Sequence, residues 1–176
     1  PFPTPPRRGS STGSDHCSEN LAQAVCLFRV AGALRLLKAR LKLGDVLTQV
    51  VDRVTAAGGP AAAGLVQATR LSLMAGIAAA VPGNRIGSIS GAVEDVARSG
   101  GFGIIRQYVG HGIGTSMHED PQVPNFRSRS PGIELAVGHC LAIEPMFTLC
   151  SEATKVLDDR WTVGTQDGSL SANLEH

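Results

Sequence analysis

Residues 108–121 read Tyr-Val-Gly-His-Gly-Ile-Gly-Thr-Ser-Met-His-Glu-Asp-Pro. The stretch holds two of the chain's five histidines, His111 and His118, among glycines and turn formers. Gly110, Gly112 and Gly114 flank or follow His111. Glycine lets the backbone take left-handed or mirror-β geometry and lets another group come close. An imidazole held in such a setting is aimed at something. The plain alternative is a glycine-rich loop whose histidines only hydrogen-bond nearby carbonyls.

Two stretches downstream bear on that choice. Leu-Ala-Ile-Glu-Pro at 141–145 puts Glu144 at the end of an apolar run, just before a proline. Asp-Gly-Ser-Leu-Ser-Ala-Asn-Leu-Glu-His at 167–176 puts Glu175 at the end of an alternating segment. A buried carboxylate is costly unless a metal or an opposite charge satisfies it. One histidine and two carboxylates suit a divalent metal. Taken singly, Glu144 also reads as the partner of a buried arginine such as Arg106, and Glu175 as a strand-end carboxylate.

A chain of 176 residues has the length of one domain and can bury a substantial core. An apolar fraction of 43% and a mean hydropathy of +0.07 belong to a soluble globular chain. The formal charge of +1 gives no reason to expect nucleic acid or a membrane as partner. No apolar run is long enough to span a bilayer, and no apolar core of a secretory signal follows the opening Pro-Phe-Pro-Thr-Pro-Pro-Arg-Arg. Cys17, Cys26, Cys140 and Cys150 form no CxxC pair. Cys140 and Cys150 flank Glu144 and read as small, buried, reduced side chains. Nothing calls for an oxidising compartment, so the reading is cytoplasmic. A chain that begins at Pro1 and stops at His176 reads as a fragment or an incomplete gene product.

In chain order, residues 1–17 are rich in Pro, Ser, Gly and Arg and read as a disordered lead. Ser18 is a fair N-cap. Leu21, Val25, Phe28 and the leucines at 34, 37 and 41 then recur at helical spacing up to Leu43. Gly44 and Asp45 end that element, and the β-branched run Val46–Val54 reads as a short strand. Gly58-Gly59-Pro60 is a break. Ala61–Ala80 reads as a helix with Leu65, Ala68, Leu71 or Ala75, and Ala79 on one face, and Ile86–Arg98 as another with Ile86, Ile89, Val93 and Val96 or Ala97 inward. Strands follow near Ile104–Tyr108, Cys140–Leu149, Lys155–Leu157, Trp161–Val163 and Ser169–Glu175. Helices followed by a run of strands point to class α+β.

Four blocks stand in order: Gly-His-Gly-Ile-Gly at 110–114, Met-His-Glu-Asp-Pro-Gln-Val-Pro-Asn at 117–125, Ala-Ile-Glu-Pro-Met at 142–146, and the 167–176 segment. From about Leu65 to His176 the chain resembles the C-terminal catalytic half of a type I methionine aminopeptidase, of the pita-bread metallopeptidase group. The first and third blocks also suit related proline peptidases; the second and fourth favour the methionine enzyme. The resemblance implies a partial pita-bread (creatinase/aminopeptidase-like) fold, with helices packed on a curved antiparallel sheet. It divides the chain into the lead at 1–17, a divergent segment at 18–60 and a catalytic half at 61–176. It implies metal ligands His111, Glu144 and Glu175, with Glu175 bridging two ions in a complete site. Glu144 would also be catalytic, shuttling a proton from bound water to the leaving amine. His118 would be catalytic and substrate-binding, hydrogen-bonding the peptide at the scissile bond. The implied cofactor is a divalent Co, Mn, Fe or Zn ion, two in the family. The implied substrate is a peptide or nascent protein beginning with Met. Phe126 is a candidate pocket side chain.

Upstream the chain departs from the family, in which a Gly-Asp begins a hairpin carrying two metal-binding aspartates. Here Gly44-Asp45 is followed by Val-Leu-Thr-Gln-Val-Val-Asp. An ungapped reading puts Val50 where the first aspartate belongs, and Asp52 falls near the second only with a deletion. The family's upstream substrate-side histidine has no match. Three protein ligands with an open position lead us to expect one weakly held ion. The alternative is an inactive fragment or pseudo-enzyme that keeps at most weak metal or peptide binding. Half of a pita-bread sheet would expose an edge and an apolar face, so self-association through that edge is expected.

Overall fold

The computed structural model describes residues 43–176, with side chains from Gly58 onward. The lead at 1–17 and the helix from Ser18, up to residue 42, lie outside the described residues. Helix α1 spans Leu43–Ala79, so Val46–Val54 is helical and not the strand expected. The β-branched residues there suggested a strand, yet Val46, Val50 and Val54, with Leu47 and Val51 between, recur at the helical spacing of four. The break expected at 58–60 is present within this helix. Gly59 has φ 73° and ψ −175°, a conformation only glycine takes without strain. Pro60 then opens the second half, where its missing N–H costs nothing.

In that second half the buried stripe is Ala62, Leu65, Val66, Thr69, Ser72 and Leu73. Leu65 is buried, and Ala68 and Ala79 pack against the cores, as expected; of the two alternatives between them, Leu71 is 39% exposed and Ala75 is half-buried. Two polar residues sit inside the buried stripe because each satisfies itself locally. Thr69 Oγ1 donates to the Leu65 carbonyl and Ser72 Oγ to that of Thr69, both at 2.8 Å. Contrary to the expectation that nothing here could span a bilayer, Gly58–Ala79 is long and apolar enough by length and composition. Its buried stripe is packed against the rest of the protein.

Helix α2, Ile86–Gly100, runs two residues beyond the expected end, and Gly101 caps it in the left-handed conformation (φ 72°). Ile86, Ile89, Val93 and Ala97 are 0–3% exposed. The two helices meet closely at Gly76, where a Cβ would press on Val93, Ile143 and Ile89.

The strands are short and all antiparallel: β1 Gly103–Ile104, β2 Gly110–Gly112, β3 Glu119–Val123, β4 Leu141–Ala142, β5 Met146–Thr148, β6 Thr154–Val156, β7 Val163–Thr165 and β8 Ser171–Asn173. They form sheets β1-β5-β8 and β3-β2-β4 and a hairpin β6–β7. β2 and β3 were not among the strands expected; glycines mask β2, and Pro121 masks β3. The single strand expected over 140–149 is two, interrupted around Glu144-Pro145. The result is α+β, as expected. One core joins Leu65, Val66, Val93 and Ala97 of the helices to Ile104, Phe147 and Ala172 of the first sheet; a second joins Leu73, Ile86 and Ile89 to Val123, Leu135 and Ile143. Phe126 packs against the first core and under the Arg106 guanidinium, 4.5 Å from its ring centre. Cys140 is an exposed free thiol, and Cys150 is exposed and disulfide-bonded. Cys140 is therefore reduced as expected but exposed, since it precedes β4, and Cys150, beyond the end of β5, is neither buried nor reduced.

Candidate metal centre

His111 lies at the middle of β2, held between β3 and β4. Its flanking glycines permit that crowding. A Cβ on Gly110 would collide with the Ala142 carbonyl, on Gly112 with that of Asp120, and on Gly114 with the Glu119 carboxylate. None of the three has a left-handed φ, so they serve close approach and not unusual backbone geometry. The β2–β3 register shifts between His111 and Gly112, and such irregularities re-aim a side chain.

The imidazole is fixed at both nitrogens. Nδ1 sits 2.9 Å from the Gly112 carbonyl oxygen, which can only accept, so Nδ1 carries the hydrogen. Nε2 faces Glu144 Oε1, 3.1 Å away; two acceptors at that distance need a proton between them, and Nε2 offers its lone pair to a metal once that proton is displaced. A metal-ligating histidine needs this tautomer, locked by a carbonyl on the far nitrogen. The two side chains are only 13% and 15% exposed. The arginine partner considered for Glu144 goes elsewhere: Arg106 pairs with Glu152 at 3.2 Å.

Glu175 arrives from β8. The β5–β8 register pairs Met146 with Asn173 and continues past both strands. Leu174 N–H donates to the Pro145 carbonyl (3.3 Å), and Ile143 and His176 exchange both backbone bonds (3.0 and 3.2 Å). Glu144 and Glu175 therefore face each other as a non-hydrogen-bonded antiparallel pair, the arrangement that brings side chains closest. Like charges so placed repel. Burial first, and then the Glu175 charge, push the Glu144 carboxyl above its usual range, while His111 and His118 act the other way. Glu175 itself is exposed.

His118 is exposed on the turn after β2. Its ring centre lies 4.2 Å from that of His111, tilted by 49°. The turn is held by Glu119, whose carboxylate accepts from Ser116 N–H (2.5 Å) and the Thr115 hydroxyl (2.8 Å). These bonds, Ser116 first, hold the Glu119 carboxyl below its usual range. Sequence reasoning gave Glu119 no role, and Asn125 none either. Yet Asn125, 1% exposed, donates from Nδ2 to the Glu144 carbonyl at 2.7 Å. Both stand inside the 117–125 block; a buried asparagine has no periodic signature that separates it from a turn residue.

The four residues expected at the site are thus brought together: His111 touches Glu144, His118 lies beside His111, and Glu175 faces Glu144. Among the described residues no three His, Cys, Asp or Glu side chains are already arranged to hold a metal ion. The donor set still fits one. A lone pair on Nε2 and two carboxylates facing across a strand pair are what a divalent cation would draw together and relieve. Asp45 and Asp52 lie on the first part of α1, a helix and not the hairpin that the resemblance implied for the family's aspartates.

The sequence profile of metallopeptidase family M24 matches residues 36–175. Over 118 residues the chain is 51% identical to methionine aminopeptidase 1 of Mycobacterium tuberculosis, covering 64% of this chain and 44% of that protein. It is 46% identical over 115 residues to the methionine aminopeptidase of Clostridium acetobutylicum, covering 65% and 46%. The crystal structure of methionine aminopeptidase from Thermotoga maritima superposes with a TM-score of 0.65 at 42% identity, over 67% of this chain and 47% of that one. The chain spans somewhat under half the length of these relatives. Matching 36–175 in sequence, and sharing the pita-bread architecture in part, the chain belongs to metallopeptidase family M24.

Proposed function

We propose that this chain carries the metal-binding half of a methionyl aminopeptidase site, acting on peptides and nascent proteins that begin with methionine. The observation that carries the reading is the contact of His111 Nε2 with Glu144 Oε1, with Glu175 opposite Glu144 in the antiparallel register. His111, Glu144 and Glu175 would hold the ion, of Co, Mn, Fe or Zn. When bound, such an ion brings the pKa of coordinated water down to about 7 and polarises the carbonyl it faces. Glu144 would take a proton from the attacking water at a carboxylate oxygen and return it to the leaving amine nitrogen. His118, exposed beside His111, hydrogen-bonds the peptide next to the scissile bond. The names of the relatives support methionine as the residue removed.

A second reading has its own support. The segment carrying Asp45 and Asp52 is helical, and three protein ligands hold one ion more weakly than a complete two-ion site. On that reading the chain binds a metal or a peptide weakly and does not hydrolyse. Calorimetric titration with Mn²⁺ or Co²⁺, paired with release of methionine from a Met-Ala-Ser peptide, separates the two. The first reading expects about one ion per chain, measurable release, and loss of both in His111→Ala. Binding without release across several metals establishes the second. Two tightly held ions would mean that upstream carboxylates complete the site.

A further inference from the structure

Glu144 occupies the one place where β4–β5 changes partner. On one side Ile143 and Pro145 are bonded to His176 and Leu174, the continuation of β8. The opposite edge is served by β2 at Ala142 and by β1 at Met146, whose carbonyl accepts from Ile105 N–H at 3.0 Å. Between those two partners the Glu144 carbonyl points towards a gap in the sheet. The Asn125 side chain fills it, donating Nδ2 to that oxygen at 2.7 Å. One side-chain amide does the work of a missing strand.

Asn125 is itself held from both ends. Val123, two residues before, closes β3 and is 1% exposed. Arg127, two residues after, is clamped to α2. Its N–H donates to Glu94 Oε2 at 2.8 Å, and its guanidinium grips both oxygens of Asp95 at 2.8 and 2.7 Å. The chain between these anchors has little freedom to move the amide.

We propose that Asn125 is a positioning residue for the metal centre, fixing the Glu144 backbone so that its carboxylate meets His111 Nε2. The proposal rests on reading Glu144 as a metal ligand. A side chain in a strand points where its backbone directs it. Interior hydrogen bonds left unmade also strain the group that lost its partner.

The test uses Asn125→Leu, close to asparagine in size but without a donor, and Val93→Ala as a core variant that lowers stability by lost packing and removes no hydrogen bond. Two readouts are taken on the full chain: the ¹⁵N shifts of the His111 imidazole without metal, and Mn²⁺ affinity by calorimetry. Asn125→Leu is expected to shift the His111 signals and weaken Mn²⁺ binding about tenfold, as removal of a supporting hydrogen bond does. Val93→Ala is expected to lower stability and change neither readout. Asn125→Ser, smaller and still a donor, is the variant to use if the leucine does not fold; it is expected to show a smaller change in the same direction. Unchanged His111 signals in the asparagine variants, or equal changes in Val93→Ala, overturn the proposal. If the chain itself binds no Mn²⁺, the metal reading fails, while the metal-free imidazole shifts still report whether Asn125 places Glu144.

Discussion

Two glutamates withdrawn from solvent stand in opposite conditions. Glu94, on α2, is 3% exposed at its side chain and surrounded by donors. Arg98 reaches it at 2.7 Å, and Arg127 offers both its backbone N–H at 2.8 Å and its guanidinium at 3.4 Å. Burial raises its pKa, but these donors outweigh burial, and the carboxyl ends below its usual range. Glu144 is 15% exposed. It has one imidazole and a facing carboxylate, and its carboxyl ends above that range. The first is a finished structural ion, the second an anion with too little positive charge. A half-buried carboxylate short of positive charge is where a bound cation would be most favourable.

The largest effect that would break this comparison is on metal affinity. Glu144→Gln is expected to weaken Mn²⁺ binding at least about a hundredfold, beyond the usual loss of a supporting residue, whereas Glu94→Gln should leave it unchanged. Equal losses in calorimetry would show that both act only through the fold. Next comes stability. Glu94→Gln is expected to cost about 1–3 kcal/mol in urea unfolding, since it removes charge-assisted bonds to a buried acceptor. Glu144→Gln in metal-free protein is expected to do the reverse, adding about 0.2–1 kcal/mol by relieving the repulsion from Glu175. A destabilised Glu144→Gln would mean that His111 already satisfies the carboxylate.

The pH dependence carries the same contrast. Glu94 has a folded pKa below the ordinary 4.5. Its contribution is present above 4.5 and is lost as pH falls through the lower folded value. Glu144 has a folded pKa above 4.5. Its cost to the metal-free fold is absent below 4.5 and grows as pH rises through the raised value. Urea unfolding across this range should show the acid limb flatten in Glu94→Gln and the loss towards neutral pH shrink in Glu144→Gln. The smallest effect concerns the exposed turn. Glu119→Gln should speed hydrogen exchange at the Ser116 amide with no change in overall stability, because only the turn beside His118 loosens.

Parts of this were legible from residues alone. The blocks around His111, Glu144 and Glu175 announced their chemistry because few arrangements place a histidine among glycines and two glutamates at the ends of apolar strands. The Gly58-Gly59-Pro60 break was visible because backbone freedom and a missing N–H are properties of single residues. The helix over Val46–Val54 was misread because β-branching and a spacing of four disagreed, and spacing was given less weight. Strand β2 is hidden because glycine, a loop former by itself, here allows strands to crowd, and β3 because Glu-Asp-Pro-Gln-Val has one β-branched residue and a proline.

The sequence by itself determined which donors exist, that they come from separate segments, and that α2 buries Ile86, Ile89 and Val93. Only the tertiary structure decided that Glu144 faces Glu175, that the imidazole tautomer is set by Gly112, and that Asn125 stands in for a strand at the switch between β2 and β1. Those facts depend on register and on which backbone groups lack a partner. Such properties arise between segments distant in the chain, and no local pattern of residues encodes them.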